Sequence, residues 1–166
     1  MLLKALEEKR SEKGLGSMGK KQIREEVKIE IENLARLKRE MDQLLAKMSD
    51  QPNFIEVRAA ASILHDFYCG VEKIFERIAI FLDKNIPKGE EWHSELLRQM
   101  AASAEGGREA VIPDELFQRL KEYLRFRHLF RHIYGFELKW ERFKSLCILM
   151  GDLLEDLNFN LKRFLK

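Results

Sequence analysis

Between Lys20 and Met48, Val27, Leu34, Met41 and Met48 recur at every seventh position, with Ile23, Ile31, Leu37, Leu44 and Leu45 beside them and charges filling the remainder. That spacing predicts one amphipathic helix. At about 1.5 Å per residue it reaches roughly 40 to 45 Å, more than a compact domain of this size needs, so part of its face is left for a partner or a second copy. Ser49 to Asn53 reads as a turn. Beyond it Leu64, Phe67, Tyr68, Val71, Ile74, Phe75, Ile78, Phe81 and Leu82 form a heavier stripe, which predicts a more deeply buried second helix. Gly70 in its middle costs about 1 kcal/mol of helix propensity, a cost that close approach of a neighbouring helix explains.

Asn85 to Gly89 ends that helix. A third is predicted over Glu90 to Ser103, packed through Trp92, Leu96, Leu97 and Met100, and Gly106-Gly107 opens a loop that closes at Pro113. Pro113 suits the first turn of a fourth helix, predicted to run through Leu116, Leu120 and Tyr123 as far as Tyr134, with Gly135 as its C-terminal cap. Phe143, Leu146, Cys147, Met150, Leu153, Leu154, Leu157, Leu161 and Phe164 then keep three-and-four spacing to the last residue, as one fifth helix. Such elements bury their stripes most simply as an all-α, up-and-down antiparallel bundle of four to five helices. Residues 1–17, with glycines at 14 and 16, read as a flexible N-terminal extension or an expression remnant, and residues 18–166 as the bundle domain.

Composition narrows this only slightly. Thirty Lys and Arg against 28 Asp and Glu leave a formal charge of +2, so the whole chain has no strong pull toward nucleic acid or anionic membrane, and any basic patch is local. Cys69 and Cys147 stand alone in apolar stretches without metal-ligand spacing, which favours buried thiols in a reducing, cytoplasmic setting. No apolar run approaches a membrane span, so no membrane is expected as a partner.

The local patch lies between Arg119 and His132, where five Lys or Arg face the single Glu122. On a helix that turns about 100° per residue, Tyr123, Phe126, Leu129, Phe130 and Ile133 are expected on an apolar arc. Arg127, His128, Arg131 and His132 are expected on the opposite, free side. Tyr134, seven residues after Arg127, should be nearly eclipsed with it. Arginine offers a charged fork for phosphate, and histidine both takes and gives a proton near neutral pH. That pairing suits phosphodiester cleavage. His128 and His132 share no carboxylate or Cys on their face in the right register, so neither metal nor cofactor is expected.

Arg127, four residues, His132, one residue, Tyr134 reproduces an Arg-x4-His-x-Tyr pattern, and Leu64 to Glu72, Trp92 to Leu97 and Phe126 to His132 supply its longer context. In these features the chain resembles the HepT-like toxins of the HEPN superfamily, over roughly residues 20 to 160. Where the familiar form has Asn directly after the motif arginine, this chain has His128. The resemblance implies a homodimeric, metal-independent endoribonuclease toxin, with Arg127 and His132 catalytic and His128 and Arg131 touching RNA. Because the ribose 2′-hydroxyl is the nucleophile of such a reaction, DNA should resist it. It also implies a minimal nucleotidyltransferase antitoxin as partner, which silences the toxin by AMPylation of the motif tyrosine, here Tyr134.

The residues taken alone leave other readings open. Arg127 and Arg131 suit surface salt bridges to neighbouring helices, Tyr134 suits an interface, and His65 and His93 suit structural hydrogen bonds. A non-catalytic helical subunit that binds nucleotides for a nucleotidyltransferase would use the same basic arc. It differs from an enzyme in needing no proton carrier at His132.

Overall fold

The computed structural model describes the backbone of residues 2–166 and the side chains from Gly19 onward; the expectation for residues 1–17 lies outside the latter. Six α-helices occur among the described residues: α1 Leu2–Leu45, α2 Phe54–Ile78, α3 Trp92–Ala101, α4 Asp114–His132, α5 Trp140–Ile148 and α6 Met150–Phe164. There is no strand among them, and none of these helices is long and apolar enough to cross a membrane.

Helix α2 is the centre of the bundle. It begins at a capping box in which Asn53 Oδ1 accepts from the amides of Ile55 (2.9 Å) and Glu56 (3.0 Å) while Glu56 Oε2 accepts from Asn53 N (2.9 Å), satisfying amide groups that a helix start otherwise leaves unpaired. Its stripe is buried as the spacing predicts, with Phe67, Val71, Ile74, Phe75 and Ile78 fully enclosed.

The neighbouring helices run antiparallel. Leu34 of α1 packs on Gly70 of α2 so closely that a Cβ there would lie 2.6 Å from Leu34 Cδ2. A few turns along, Arg77 of α2 meets Glu26 of α1 at 2.9 Å. The glycine is thus required by helix contact, as its cost suggested. Arg24 of α1 donates to the carbonyl of Leu165, and Lys38 lies over Gly151, which sets α6 antiparallel to α1. Helix α4 pairs in the same sense with α5 and α6, through Phe126 on Phe143, the Tyr123 hydroxyl on the Leu146 carbonyl (2.7 Å) and the Arg119–Asp156 ion pair.

Three boundaries differ from expectation. Helix α1 begins at Leu2, not near Lys20, and its backbone runs through Gly14 and Gly16 without a break. The single fifth helix is divided at Leu149, whose φ of −87° and ψ of 1° break the helical course between α5 and α6. The fourth helix stops at His132, not Tyr134. Ile133 and Tyr134 are extended, and residues Gly135–Glu137 form a short 3-10 turn. Gly135 has an ordinary negative φ and is no left-handed cap. Its role is steric: a Cβ there would lie 2.7 Å from the Arg58 guanidinium.

Candidate active site

Helix α4 buries Leu116, Leu120, Tyr123, Leu124, Phe126 and Arg127. Arg127 therefore belongs to the packed face, only 6 % exposed, and not to the free arc expected of it; Leu129, expected to pack, is 43 % exposed. The reason is a carboxylate that spacing alone did not reveal. Glu72, 4 % exposed on α2, stands with Oε1 2.8 Å from Arg127 Nε. The N–H is not aligned with that oxygen, and Nε is enclosed without a hydrogen bond, so the contact is one of charge.

The other carboxylate oxygen of Glu72 is taken by Nδ1 of His93, near the start of α3. His93 lies against Trp92, ring centroids 3.6 Å apart, and meets the ring of His128 edge-on at 5.8 Å. Helix α3 is itself anchored at its far end, where Gln99 and Arg108 both bind Asp83. Three helices therefore converge on one polar cluster in which Glu72 and Arg127 are buried and His93 and His128 half-buried.

Burial dominates its electrostatics. It pushes the Glu72 carboxyl up to about 7 even though Arg127 pulls the other way. It pushes His93 down to about 4, assisted by Arg127 and then Arg131. His128 is lowered too, by burial first and by His93 and Arg127 after it. Both imidazoles are accordingly neutral at pH 7. The Tyr68 hydroxyl, enclosed nearby and unpartnered, is raised well above its ordinary range by burial and then by Glu72.

Past this cluster α4 reaches the surface. Arg131 and His132 are exposed. His132 Nδ1 lies 2.6 Å from the carbonyl of His128; since a carbonyl only accepts, Nδ1 carries the proton, which leaves Nε2 as a free acceptor. Tyr134, 72 % exposed, stacks on Phe136 beyond the helix end. Being off the helix, Tyr134 is not eclipsed with Arg127. Among the described residues no hydrogen bond or ion pair joins Arg127 to His132 or Tyr134.

Of the five residues singled out by sequence, the structure thus joins Arg127 and His128 to a buried network and links His132 to it through one carbonyl. Arg131 and Tyr134 stand outside. Glu72 and His93 are the members that were missed. The available signal was the run Leu116, Leu120, Leu124, Arg127, which sets the arginine on a buried stripe and so demands a buried carboxylate. Cys69 and Cys147 are free thiols, Cys147 buried and Cys69 half-buried.

A family model described as HepT-like protein matches residues 59–166, a segment that takes in nearly all of α2, α3 to α6 and every residue of the cluster. No curated protein and no solved structure matches the chain.

Proposed function

The chain belongs to the HepT-like family, broadly a family of nucleases, and from that premise we propose that it is a metal-independent endoribonuclease toxin. The observation that carries this reading is the state of His132. Its Nδ1–H is held by the His128 carbonyl and its Nε2 is open to solvent, the tautomer a general base requires. In the reaction Nε2 takes the proton of the ribose 2′-hydroxyl, the 2′-oxygen attacks phosphorus, and the P–O5′ bond breaks as the 5′-oxygen takes a proton from water, giving a 2′,3′-cyclic phosphate and a 5′-hydroxyl. Arg127, oriented by Glu72, presents its terminal nitrogens to the charge that builds on the phosphoryl oxygens. Arg131 and His128 hold the flanking backbone.

Because Arg127 and His132 do not touch within one chain, a homodimer that faces two such α4 ends across one cleft supplies the full set. The exposed Tyr134 hydroxyl is open to a minimal nucleotidyltransferase antitoxin, and an AMP placed there adds negative charge a few residues from Arg131. A second reading is favoured by the burial of Arg127: if the guanidinium serves only Glu72, the surface binds nucleotides without cutting them.

Cleavage of labelled single-stranded RNA and tRNA in excess EDTA separates the two. The enzyme cuts RNA, spares DNA of the same sequence, and loses activity on His132→Ala. If unmodified protein, verified by the mass of Tyr134, leaves every RNA intact, the ribonuclease reading is wrong and the binding reading takes its place.

A further inference from the structure

Tyr134 and Phe136 are both about three-quarters exposed, at 72 % and 74 %, yet their rings lie nearly parallel, 9° apart with centroids 5.2 Å from each other. The two other exposed phenylalanines among the described residues, Phe54 and Phe159, have no ring stacked on them. Exposed rings this well aligned normally find cover.

The turn that carries them is rigidly built. Tyr134 N donates to Glu137 Oε2 (2.7 Å), Glu137 N donates to the Tyr134 carbonyl (2.9 Å), and Gly135 sits directly on the Arg58 guanidinium. Leu138, just past the turn, packs on the core. The pair is thus presented in place with little left to order on binding. Around it stand cations: Arg58 below the turn and Arg131 at the end of α4. Arg58 and Arg131 take part in no ion pair among the described residues.

Aromatic faces beside unpaired positive charge are the means by which proteins hold single-stranded nucleic acid, the rings stacking on bases and the cations following the phosphates. Aromatic rings and arginine are also enriched where two proteins meet, so the solution mass of the variant below is part of the test; the ribonuclease reading selects the nucleic acid. We propose that the Tyr134–Phe136 pair is a base-stacking platform: a nucleobase of single-stranded RNA extends the column on the open face of Phe136, while Arg58 and Arg131 pair with the phosphates on either side. This rests on the ribonuclease reading for its substrate, and it adds that unstacked strands are preferred over duplex.

The test uses the full chain and a single-stranded 2′-O-methyl oligonucleotide carrying 2-aminopurine, which lacks the nucleophilic hydroxyl and so reports binding apart from cleavage. Stacking quenches the probe. Wild type is expected to bind and quench it, Phe136→Ala to bind about tenfold more weakly, on the scale of one base lost from one ring, and Phe136→Tyr to restore both. Unchanged binding by Phe136→Ala overturns the platform, as does a wild type that leaves the probe bright. A Phe136→Ala protein whose mass in solution falls to that of a monomer also overturns it, by assigning the rings to an interface between copies. A wild type that quenches the probe but cuts no RNA refutes the ribonuclease reading and leaves the platform standing; active wild type with no effect of Phe136→Ala does the opposite.

Discussion

Among the described residues Glu72 is the only carboxylate paired with the Arg127 guanidinium, and replacing it by Met removes that charge while keeping the side chain's volume and reach. Both groups are within a few per cent of full burial, so solvent offers almost no screening. A buried cation stripped of its counter-ion costs about 3–5 kcal/mol, whereas Arg127→Met should cost less, because Glu72, already raised to about 7 with the arginine present, takes up a proton instead of remaining charged. The double variant behaves differently. With both charges gone the site is apolar and of similar volume, a replacement that is often neutral or better. What remains unpaid is His93 Nδ1, which loses the Glu72 oxygen it bonds, at about 1–3 kcal/mol.

Urea unfolding followed by circular dichroism measures all three. Glu72→Met alone should be less stable than Glu72→Met with Arg127→Met, an inversion that no sum of independent effects produces. For a chain of this length each kcal/mol moves the melting temperature by about 2–4 °C, so the difference is readable by heat as well. Single variants whose losses simply add would refute the pairing, and with it the claim that Glu72 fixes the arginine. The double variant also separates structure from chemistry: it should fold and yet cut no RNA.

Two further outcomes follow from the same packing and charges. Gly70→Ala gains about 1 kcal/mol of helix propensity but drives a methyl into the enclosed Leu34, at an overpacking cost of about 1–3 kcal/mol; net destabilisation is expected, relieved in the Leu34→Ala background, and a more stable Gly70→Ala protein would contradict the tight α1–α2 contact. Glu72, raised from 4.5 to about 7 on folding, binds protons that the unfolded chain lacks, so its share of stability falls as pH rises across that window, whereas His93, lowered from 6.5 to about 4, contributes a share that rises between 4 and 6.5. The two oppose each other in wild type; His93→Gln removes the rising share and leaves the falling one, so its melting temperature should drop relative to wild type as pH rises from 4 to 6.5, and parallel profiles would sink the idea.

The helices were legible because their stripes follow a 3.6-residue period, and Gly70 was legible because its cost in mid-helix called for a neighbour. The charged half of the site was not. A reading that sends every charge to solvent misplaces Arg127, whose position seven residues after Leu120 sets it on the buried face, and overlooks Glu72, which follows Val71 into the core. Their attraction is tertiary: it joins residues 55 positions apart in the sequence, and neither helix's period contains it. The end of α4 was misread for a related reason. Gly135 looked like a left-handed cap, but the chain had already left the helix at Ile133, and the glycine serves the Arg58 contact.

That early ending gives His132 two tasks at once. As the last residue of α4 it gives its backbone N–H to the helical ladder, and its Nδ1–H adds a second donor to the His128 carbonyl that the ladder already engages. The contact that fixes the tautomer therefore also ties the side chain to the last turn of the helix, and His132→Ala removes both, at about 1 kcal/mol for the lost hydrogen bond. His132→Gln divides them. Its side-chain amide still donates to a carbonyl, yet it carries no titratable proton, so the melting temperature should stay near wild type while RNA cleavage falls by the 10²- to 10⁴-fold typical of a lost general base. Retained cleavage in that variant would show that the proton carrier lies elsewhere, and that His132 serves only the last turn of α4.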